Sequence, residues 1–382
     1  MALVLTEEQE LLGRTARELV AARSPLKRIR QLRDARDPIG FSRDLWREMA
    51  RLGWAGILIP EAHGGAGLGY TELMVVLEEL GRGLVPEPML STVLLGASAL
   101  LLGGSDAQRS DHLPAVAAGD LLLALAYQEQ RSRYDVHHVE TRAEWASGSW
   151  RLTGEKIQVL DGHVADVLVV SARTSGSPAN AEGITLFLLR RDAPGVRVAR
   201  QWRIDTRAAA LVALDGVRVG AEAVLGEVDA GGALLARVLD RATIGLTADM
   251  LGGMTAAFEM TVDYLRTRRQ FGVPIGSFQA LKHRAARLYV ETELARSAVM
   301  AAHRALDEGA DDMQAARMAA IAKARCSDAY MLVAHEAVQM HGGIGMTDEH
   351  DVGFYLKAAR AAEIMFGDAA YHRDRLARLQ GY

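Results

Sequence analysis

The spacing of apolar residues changes twice along this chain. Up to about residue 120, apolar residues recur at the three- and four-residue spacing of amphipathic helices, and this spacing returns in four long segments from about residue 234 to 380. Between them lie short runs rich in Val, Leu, Thr and aromatic residues, separated by turn clusters such as Thr174-Ser175-Gly176-Ser177-Pro178. This order predicts an α+β fold. The expected parts are an N-terminal helical domain (1–120), a middle β-barrel or sandwich domain (121–228) and a C-terminal four-helix bundle (229–382).

Composition excludes several classes of protein. The chain has 382 residues, enough for two or three domains, and a net charge of -4 that gives no general attraction to nucleic acid or anionic membranes. A single cysteine, Cys326, excludes an intrachain disulfide framework and fits a reducing compartment. Glu7 and Glu8 interrupt any N-terminal signal peptide, and the most apolar run, residues 93–102, is about half the ~18 residues that a membrane span needs. We therefore expect a cytoplasmic protein.

A short turn joins two of the C-terminal helical segments. It contains Gly272, Pro274 and Gly276, residues that interrupt helices. Arginine offers a planar fork of donors suited to phosphate oxygens, whereas a solvated basic helix end would be stabilised by the helix dipole. The residues alone leave both interpretations open. The polar and aromatic residues at the end of the first helix are Arg266, Arg268, Arg269, Gln270 and Phe271.

Five motifs, in the order of a known family, extend over most of the chain. The segment from Arg268 to Gln279 reads Arg-x-Gln-Phe-Gly-x-Pro-Ile-x-x-Phe-Gln and resembles the signature of the acyl-CoA dehydrogenase family. The other four motifs are residues 60–69, residues 78–82, Gly154-Glu155-Lys156 with Ala165-Asp166, and residues 339–345. The resemblance implies FAD as cofactor and the α,β-dehydrogenation of an acyl-CoA thioester to a trans-2-enoyl thioester.

The resemblance also implies which residues hold FAD. Arg268 and Gln270 correspond to residues at the pyrophosphate, and Phe271 and Gln279 to residues near the adenosine. In the family, the loop that corresponds to Gln339, Gly342 and Gly343 reaches the cofactor of a neighbouring subunit. Paired glycines let backbone N–H groups approach phosphate, although such a pair is also a plain interhelical turn.

Two departures from the family pattern occur in the middle domain. The family's Thr-Glu-Pro segment with its glycine-serine pair is replaced by Gln128-Glu129-Gln130-Arg131-Ser132-Arg133. Where a Trp-Ile-Thr or Trp-Ile-Ser segment would flank the flavin, this chain has Gln158-Val159-Leu160. The aromatic and hydroxyl contacts to the flavin are therefore absent, while backbone contacts can still form.

The catalytic base is not at its usual position. Many family members carry a glutamate in a C-terminal Tyr-Glu-Gly-Thr segment, where this chain has Phe366-Gly367-Asp368-Ala369. A second subset carries the glutamate on an earlier helix, directly before an arginine; we match that position to Asp240, with Arg241 assigned to the substrate. Aspartate is shorter than glutamate by about 1.5 Å. Asp240 is the candidate base, Asp368 the alternative, and a subunit that supplies no base is the third possibility.

The resemblance predicts partners as well as chemistry. We expect an electron-transfer flavoprotein as electron acceptor and a homo-oligomer, or a heteromer with a homologous subunit. The alternative function is a non-catalytic partner subunit of a heteromeric acyl-CoA dehydrogenase; a flavoprotein oxidase on the same fold is a further option. No metal site is expected, because His335, His341 and His350 lack ligand spacing on one helix face.

Overall fold

The computed structural model describes residues 4–382, which form two compact units. The helical unit comprises residues 4–34, Tyr70–Val85 and Thr243–Tyr382, and the mixed unit comprises Ala35–Gly69 and Pro86–Ala242. A π-helix spans Met89–Ala97. The α-helices are α1 (Glu7–Arg23), α2 (Leu26–Asp34), α3 (Arg43–Arg51), α4 (Tyr70–Arg82), α5 (Ser98–Gly103), α6 (Asp106–Ala117), α7 (Gly231–Thr267), α8 (Gln279–Asp307), α9 (Asp312–His341), α10 (Val352–Ile364) and α11 (Ala369–Leu379).

Helix α1 begins with a complete capping box. The Gln9 N–H donates to Thr6 Oγ1 over 3.3 Å, and the Thr6 N–H donates to Gln9 Oε1 over 3.0 Å. These two bonds satisfy N–H groups that have no partner within the helix. The helix buries Ala16 and Val20 and packs against α4. A threonine followed three residues later by a glutamine is the sequence signature of such a helix start.

Helices α4 and α7 approach closely at two glycines. An ideal Cβ on Gly81 would lie 2.0 Å from the Asp249 carbonyl oxygen, and one on Gly252 would lie 1.8 Å from the Glu78 carbonyl oxygen. A side chain at either position is therefore incompatible with the observed contact. The motif at residues 78–82 thus fixes the packing of α4 on α7.

The C-terminal helices form a bundle around α9. Helix α8 packs along α9, and α10 and α11 also pack against it. Alanines at the contact let these helices come close; one cluster consists of Ile244, Ala302, Ala319 and Ala322. The expected C-terminal helical domain is confirmed. It contains five helices within the described residues, because a break at Phe366 and Gly367 separates α10 from α11.

The middle part of the chain is a sheet of eight strands. Their order is β6-β7-β3-β2-β4-β5-β8, with β1 paired in parallel to β4. Fifteen buried apolar residues on these strands and their connections form its core, including Leu168, Phe187 and Val212. The strands are β1 (Leu123–Ala126), β2 (Arg142–Ala146), β3 (Ser149–Leu160), β4 (Val167–Arg173), β5 (Ile184–Arg190), β6 (Val196–Trp202), β7 (Ala208–Val219) and β8 (Val224–Leu225).

The α+β prediction with N-terminal helices, a middle sheet and C-terminal helices is therefore confirmed. The segment Met89–Ala97, directly before α5, is the wider π-helix, which apolar spacing does not distinguish from an α-helix. Within residues 4–382 no helix has both the length and the apolar character needed to cross a membrane. In the same part of the chain, no group of three or more His, Cys, Asp or Glu side chains could hold a metal ion.

Candidate functional site

The turn after α7 is a tight β-hairpin. Strands β9 (Arg269–Gln270) and β10 (Val273–Pro274) pair antiparallel, leaving only Phe271 and Gly272 in the loop. Both loop residues have positive φ, 52° and 82°, as a two-residue hairpin requires. The Arg269 Nη2 donates to the Gly272 carbonyl oxygen over 2.9 Å and so closes the loop. The arginine motif is therefore held in a defined backbone conformation.

The hairpin presents unused binding groups to the surface. Phe271 is 91% exposed, and its ring contacts the edge of Phe278 at a centroid distance of 6.1 Å. Arg268 is exposed, and among residues 4–382 its guanidinium has no hydrogen bond or ion pair. An exposed aromatic ring beside a free guanidinium is suited to a ligand that combines a planar ring with phosphate groups.

The glycine turn after α9 is equally open. Gly342 adopts φ 65° and ψ −141°, a conformation for which glycine is strongly favoured, and begins the 3₁₀ turn Gly342–Met346. No heavy atom lies within 4 Å of an ideal Cβ on Gly342 or Gly343. The backbone on this side is therefore accessible to a ligand or to another protein surface.

An aromatic cluster connects the ends of α7 and α9. Tyr264, one turn before the hairpin, stacks on His341 at 4.5 Å, and His341 lies 4.4 Å from the His350 ring. His341 Nδ1 bonds to the Ala337 carbonyl oxygen at 2.7 Å, while its buried Nε2 has no partner among the described residues. Burial, with the neighbouring imidazole, lowers the pKa of His341. The structure thus brings together two motifs that are about seventy residues apart.

The remaining candidate FAD residues also lie on the surface of the helical unit. Gln270 is in β9, Gln279 begins α8, and Gln339 is in the last turn of α9; all three are exposed. The candidate residues therefore form exposed groups at helix ends and turns.

In the mixed unit, a buried ion pair connects two of the sequence motifs. Lys156 Nζ donates to Glu129 Oε1 over 2.6 Å and to Ser171 Oγ over 3.0 Å. Glu129 also accepts the backbone N–H groups of Glu140 at 2.6 Å and Thr141 at 3.0 Å. Burial lowers the pKa of Lys156 to about 8. Burial alone would raise the pKa of Glu129, but the charge of Lys156 and the hydrogen bonds to the carboxylate together hold this pKa below its ordinary value.

The segment Gln158-Val159-Leu160 lies at an irregularity of the sheet. The register between β3 and β7 shifts between Lys156 and Val159, and Gln158 has φ 52°. The Gln158 N–H donates to Gln201 Oε1 over 3.1 Å, while Val159 and Leu160 are buried. The segment therefore has neither an aromatic ring nor a hydroxyl to offer a flavin.

The candidate base lies in α7. Asp240 is 6% exposed, and Arg241 Nη1 donates to the Arg237 carbonyl oxygen over 3.1 Å, one turn back along the helix. Asp240 thus belongs to the buried side of the helix, in the mixed unit.

Asp368, the alternative base, has a structural role at the start of α11. Asp368 is the N-cap of α11, and its Oδ1 accepts the Tyr371 N–H over 2.9 Å. Gly367 has φ 108°, and an ideal Cβ there would lie 2.4 Å from Tyr371 Cδ1 and 2.9 Å from His372 Nε2. Rings from α11 thus fill the space that a side chain at 367 would need.

The buried side chain of Lys323 stabilises the break between α10 and α11. Lys323 Nζ donates to the Glu363 carbonyl oxygen over 2.9 Å, to the Gly367 carbonyl oxygen over 2.7 Å and to Ser327 Oγ over 3.0 Å. Three acceptors match the three N–H groups of an ammonium. Burial lowers the pKa of Lys323 to about 7. Sequence reasoning missed Lys323, although a lone lysine among the alanines of α9 was the available signal.

The comparisons with known proteins agree with this fold. Three family models match: "Acyl-CoA dehydrogenase, N-terminal domain" at residues 6–120, "Acyl-CoA dehydrogenase, middle domain" at 124–216 and "Acyl-CoA dehydrogenase, C-terminal domain" at 229–380. The acyl-CoA dehydrogenase FadE12 of Mycobacterium tuberculosis is 32% identical over 324 residues, 84% of this chain and 83% of that protein. Butyryl-CoA dehydrogenase from Megasphaera elsdenii has a TM-score of 0.90 at 28% identity, and the ChsE4–ChsE5 complex from Mycobacterium tuberculosis has 0.87 at 30%, each over 100% of both chains.

These findings place the chain among the flavin-dependent oxidoreductases. It belongs to the acyl-CoA dehydrogenase family. It is thus an oxidoreductase that acts on acyl-CoA, and its cofactor is FAD. The residues present fit this cofactor, since the free Arg268 guanidinium suits a pyrophosphate, the exposed Phe271 ring suits an adenine and the bare Gly342–Gly343 backbone permits close approach.

Proposed function

We propose that this chain catalyses the α,β-dehydrogenation of an acyl-CoA thioester to a trans-2-enoyl thioester. The observation that carries the proposal is the β-hairpin after α7, with its free Arg268 guanidinium and exposed Phe271 in a family whose cofactor is FAD. Bound FAD supplies the acceptor for the hydride that leaves the β carbon of the substrate. The chain must hold this cofactor and remove the proton from the α carbon.

We assign Arg268 and Gln270 to the pyrophosphate and Phe271 and Gln279 to the adenosine. If Arg268 makes a charge-assisted contact to phosphate, its loss costs about 1.5–3 kcal/mol, or about ten- to a hundredfold in affinity. Titration of the apoprotein with FAD should show this loss for Arg268→Ala. The matched control is Arg266→Ala, which removes an exposed arginine that already pairs with Asp263 at 3.5 Å. Equal FAD affinity of parent and Arg268→Ala protein would contradict the assignment.

We further propose Asp240 as the base that removes the α proton, with Arg241 at the substrate. Its support is the burial of Asp240, which keeps water from the carboxylate, and the cap bond that already occupies Asp368. The shorter aspartate needs the substrate to come about 1.5 Å closer than a glutamate would.

Paired substitutions test this assignment. Asp240→Asn keeps the shape of the side chain but removes the base, so FAD should stay bound while reduction of the flavin by a good thioester is lost. Asp368→Asn is the control, because asparagine caps helices as well as aspartate does. It should retain flavin reduction. Reduction at the parent rate by Asp240→Asn protein would make Asp240 a structural residue.

A second candidate function is a partner subunit that supplies no base. The packing of Tyr371 and His372 against Gly367 favours it, because the usual glutamate position cannot hold a side chain in this conformation. The similarity to a chain of the ChsE4–ChsE5 complex, which contains two different named components, also favours it. In that case, no thioester reduces the flavin until a homologue with an intact glutamate is added.

We also propose the assembly and cellular setting. The exposure of the cofactor residues supports at least a dimer, in which the Gln339–Gly343 loop covers FAD of the neighbouring subunit. A fully FAD-loaded monomer in sedimentation would contradict this.

We propose that electrons pass to an electron-transfer flavoprotein, which an assay of its reduction by this protein tests. We also propose that the protein is cytoplasmic, which cell fractionation tests. We keep the division into domains at 1–120, 121–228 and 229–382, testable by limited proteolysis.

A further inference from the structure

Two arginines of α2 bind the segment that follows the glycine turn. Arg33 donates from Nη1 to Asp348 Oδ1 over 2.6 Å and from Nη2 to Asp348 Oδ2 over 2.7 Å. Arg30 donates to Asp348 Oδ2 over 3.0 Å, to the Asp348 carbonyl oxygen and to Asp351 Oδ1 over 2.8 Å. We call Arg30, Arg33, Asp348 and Asp351 the arginine clamp.

The clamp makes more contacts than a single surface ion pair, although the side chain of Asp348 is 62% exposed. Arg33 binds the carboxylate of Asp348 through two parallel hydrogen bonds, which fix the orientation of the two groups as well as their distance. Both guanidinium groups lie over the Phe354 ring, at 4.9 Å for Arg30 and 5.2 Å for Arg33, and their side chains are only 23% and 27% exposed. The hydrogen bond from Arg33, with the charges around it, lowers the pKa of Asp348 to about 2, so the clamp is intact at neutral pH.

The clamp holds one end of a turn whose other end is also fixed. Asp348 comes two residues after the turn Gly342–Met346, and His341, directly before the turn, stacks on Tyr264. Between these anchors most of the turn is exposed. Met346 is 80% exposed and Ile344 is 42% exposed, and no heavy atom lies within 4 Å of an ideal Cβ on Gly342 or Gly343, whereas Gly345 is buried against Val338 and His341. A turn that is anchored at both ends and uncovered in the middle is suited to contact something outside its own chain.

We propose that Arg30 and Arg33 are positioning residues that hold the Gly342–Met346 turn ready to cover FAD of a neighbouring subunit. This inference rests on the proposed function. The physical reason is the conformational freedom of paired glycines, which must be lost before their N–H groups can bind a phosphate. The clamp removes this freedom before FAD arrives, and preorganisation of this kind raises affinity without adding a contact.

The first test measures FAD affinity in clamp variants. Apoprotein with Arg30→Ala and Arg33→Ala should bind FAD about tenfold more weakly than the parent. Arg14→Ala is the control, because it breaks an exposed α1 pair with Glu10 at 3.8 Å, away from the turn. FAD affinity equal to that of the parent would overturn the proposal. The thermal midpoint of the clamp variant is measured with and without FAD; if both midpoints fall equally and the affinity is unchanged, the clamp only stabilises the fold.

The second test asks in which chain the clamp acts. A chain with Arg268→Ala is co-expressed with a chain carrying Arg30→Ala and Arg33→Ala, and the mixed dimer is isolated through two different tags. If the turn acts across the interface, one of its two sites has its own Arg268 and an intact clamp from the neighbour. About half of the sites should then bind FAD with parent affinity. If no site does, the clamp acts within its own chain, which overturns the proposal. A clamp with no role at all also leaves half of the sites at parent affinity, and the first test excludes that case, because the clamp variant alone must bind FAD more weakly.

These tests separate the clamp from the proposed function. Weak FAD binding by Arg268→Ala protein together with parent affinity in the clamp variant overturns only the clamp. Parent affinity in both variants overturns the cofactor site itself, and the clamp with it.

Discussion

Removal of Lys156 should destabilise the protein far more than removal of any arginine on its surface. The ammonium of Lys156 and the carboxylate of Glu129 are both almost fully buried, at 0% and 4% side-chain exposure. In Lys156→Met protein the carboxylate would be left among buried groups without its counter-charge. Breaking a buried pair in this way costs about 3–5 kcal/mol.

The structure favours the lower part of that range. The two backbone N–H donors from Glu140 and Thr141 remain on Glu129 and compensate part of its charge. The mixed unit, residues 35–69 and 86–242, is of the size at which 1 kcal/mol shifts the melting temperature by about 2–4 °C. At about 3–4 kcal/mol, Lys156→Met should therefore lower the melting temperature by about 6–16 °C, measured by thermal unfolding at pH 7.

The loss of stability caused by Lys156→Met should be smaller at acidic pH. In the parent, Glu129 has a lowered pKa, so its stabilising contribution is present above the ordinary carboxyl pKa of 4.5 and is lost as the pH falls through the lowered value. In Lys156→Met protein the lysine charge is gone and burial raises the pKa of Glu129. Protonation then relieves the buried charge, and the difference in melting temperature should narrow between pH 7 and pH 4.5.

Two further variants test whether the loss of stability in Lys156→Met protein is electrostatic. Arg151→Ala removes an arginine from the same strand, but its pair with Glu144 is exposed at 51% and 57%, so the melting temperature should hardly change. Adding Glu129→Gln to Lys156→Met should recover part of the loss, because the buried charge is gone while one backbone N–H keeps an acceptor. A drop below 2 °C for Lys156→Met, or the same drop for Arg151→Ala, would refute the electrostatic reasoning.

Three more predictions concern glycines and a helix cap. Gly252→Ala should destabilise the protein by about 1–3 kcal/mol or more in chemical unfolding, because the new Cβ would meet the Glu78 carbonyl oxygen at 1.8 Å. Gly367→Ala should lower the melting temperature, since φ 108° disfavours any side chain and Tyr371 already occupies the space. Asp368→Ala should cost about 1 kcal/mol of stability in the same unfolding assay, whereas Asp368→Asn should cost almost nothing.

Gly353 provides the matched control for these glycine variants. It lies in α10, and no atom is within 4 Å of an ideal Cβ. Gly353→Ala should stabilise the protein by up to about 1 kcal/mol through helix propensity. Loss of stability at this position, equal to that at Gly252, would show that the close contact of α4 with α7 is not the cause.

Local features of the fold could be predicted from the sequence. The Thr6–Gln9 capping box is a signal within four residues, and its bonds form as expected. A short run of apolar residues bounded by turn clusters likewise predicted β4, where the chain is buried along its whole length. Such features depend on neighbours in the sequence, so a single chain is enough to find them.

Features that depend on distant partners could not be predicted. The Lys156–Glu129 pair joins residues 27 apart, and the Arg33–Asp348 contact joins residues 315 apart. Neither partner carries a local sign of the other, and a charged residue in isolation is more often on the surface. The same applies to Gly367, where the sequence shows a missing glutamate but not the rings that fill its space.

Anaerobic titration of the purified protein with a panel of acyl-CoA thioesters is the most direct test of whether this chain takes part in acyl-CoA dehydrogenation. The sample is first loaded with FAD, and the visible absorption of the flavin is followed after each thioester is added. We predict a yellow protein whose flavin band is bleached by at least one thioester. This chain should do so alone if Asp240 is the base, and only with a homologous subunit if it is not. A protein that takes up no FAD, or whose flavin stays oxidised with every thioester in both settings, would contradict this prediction.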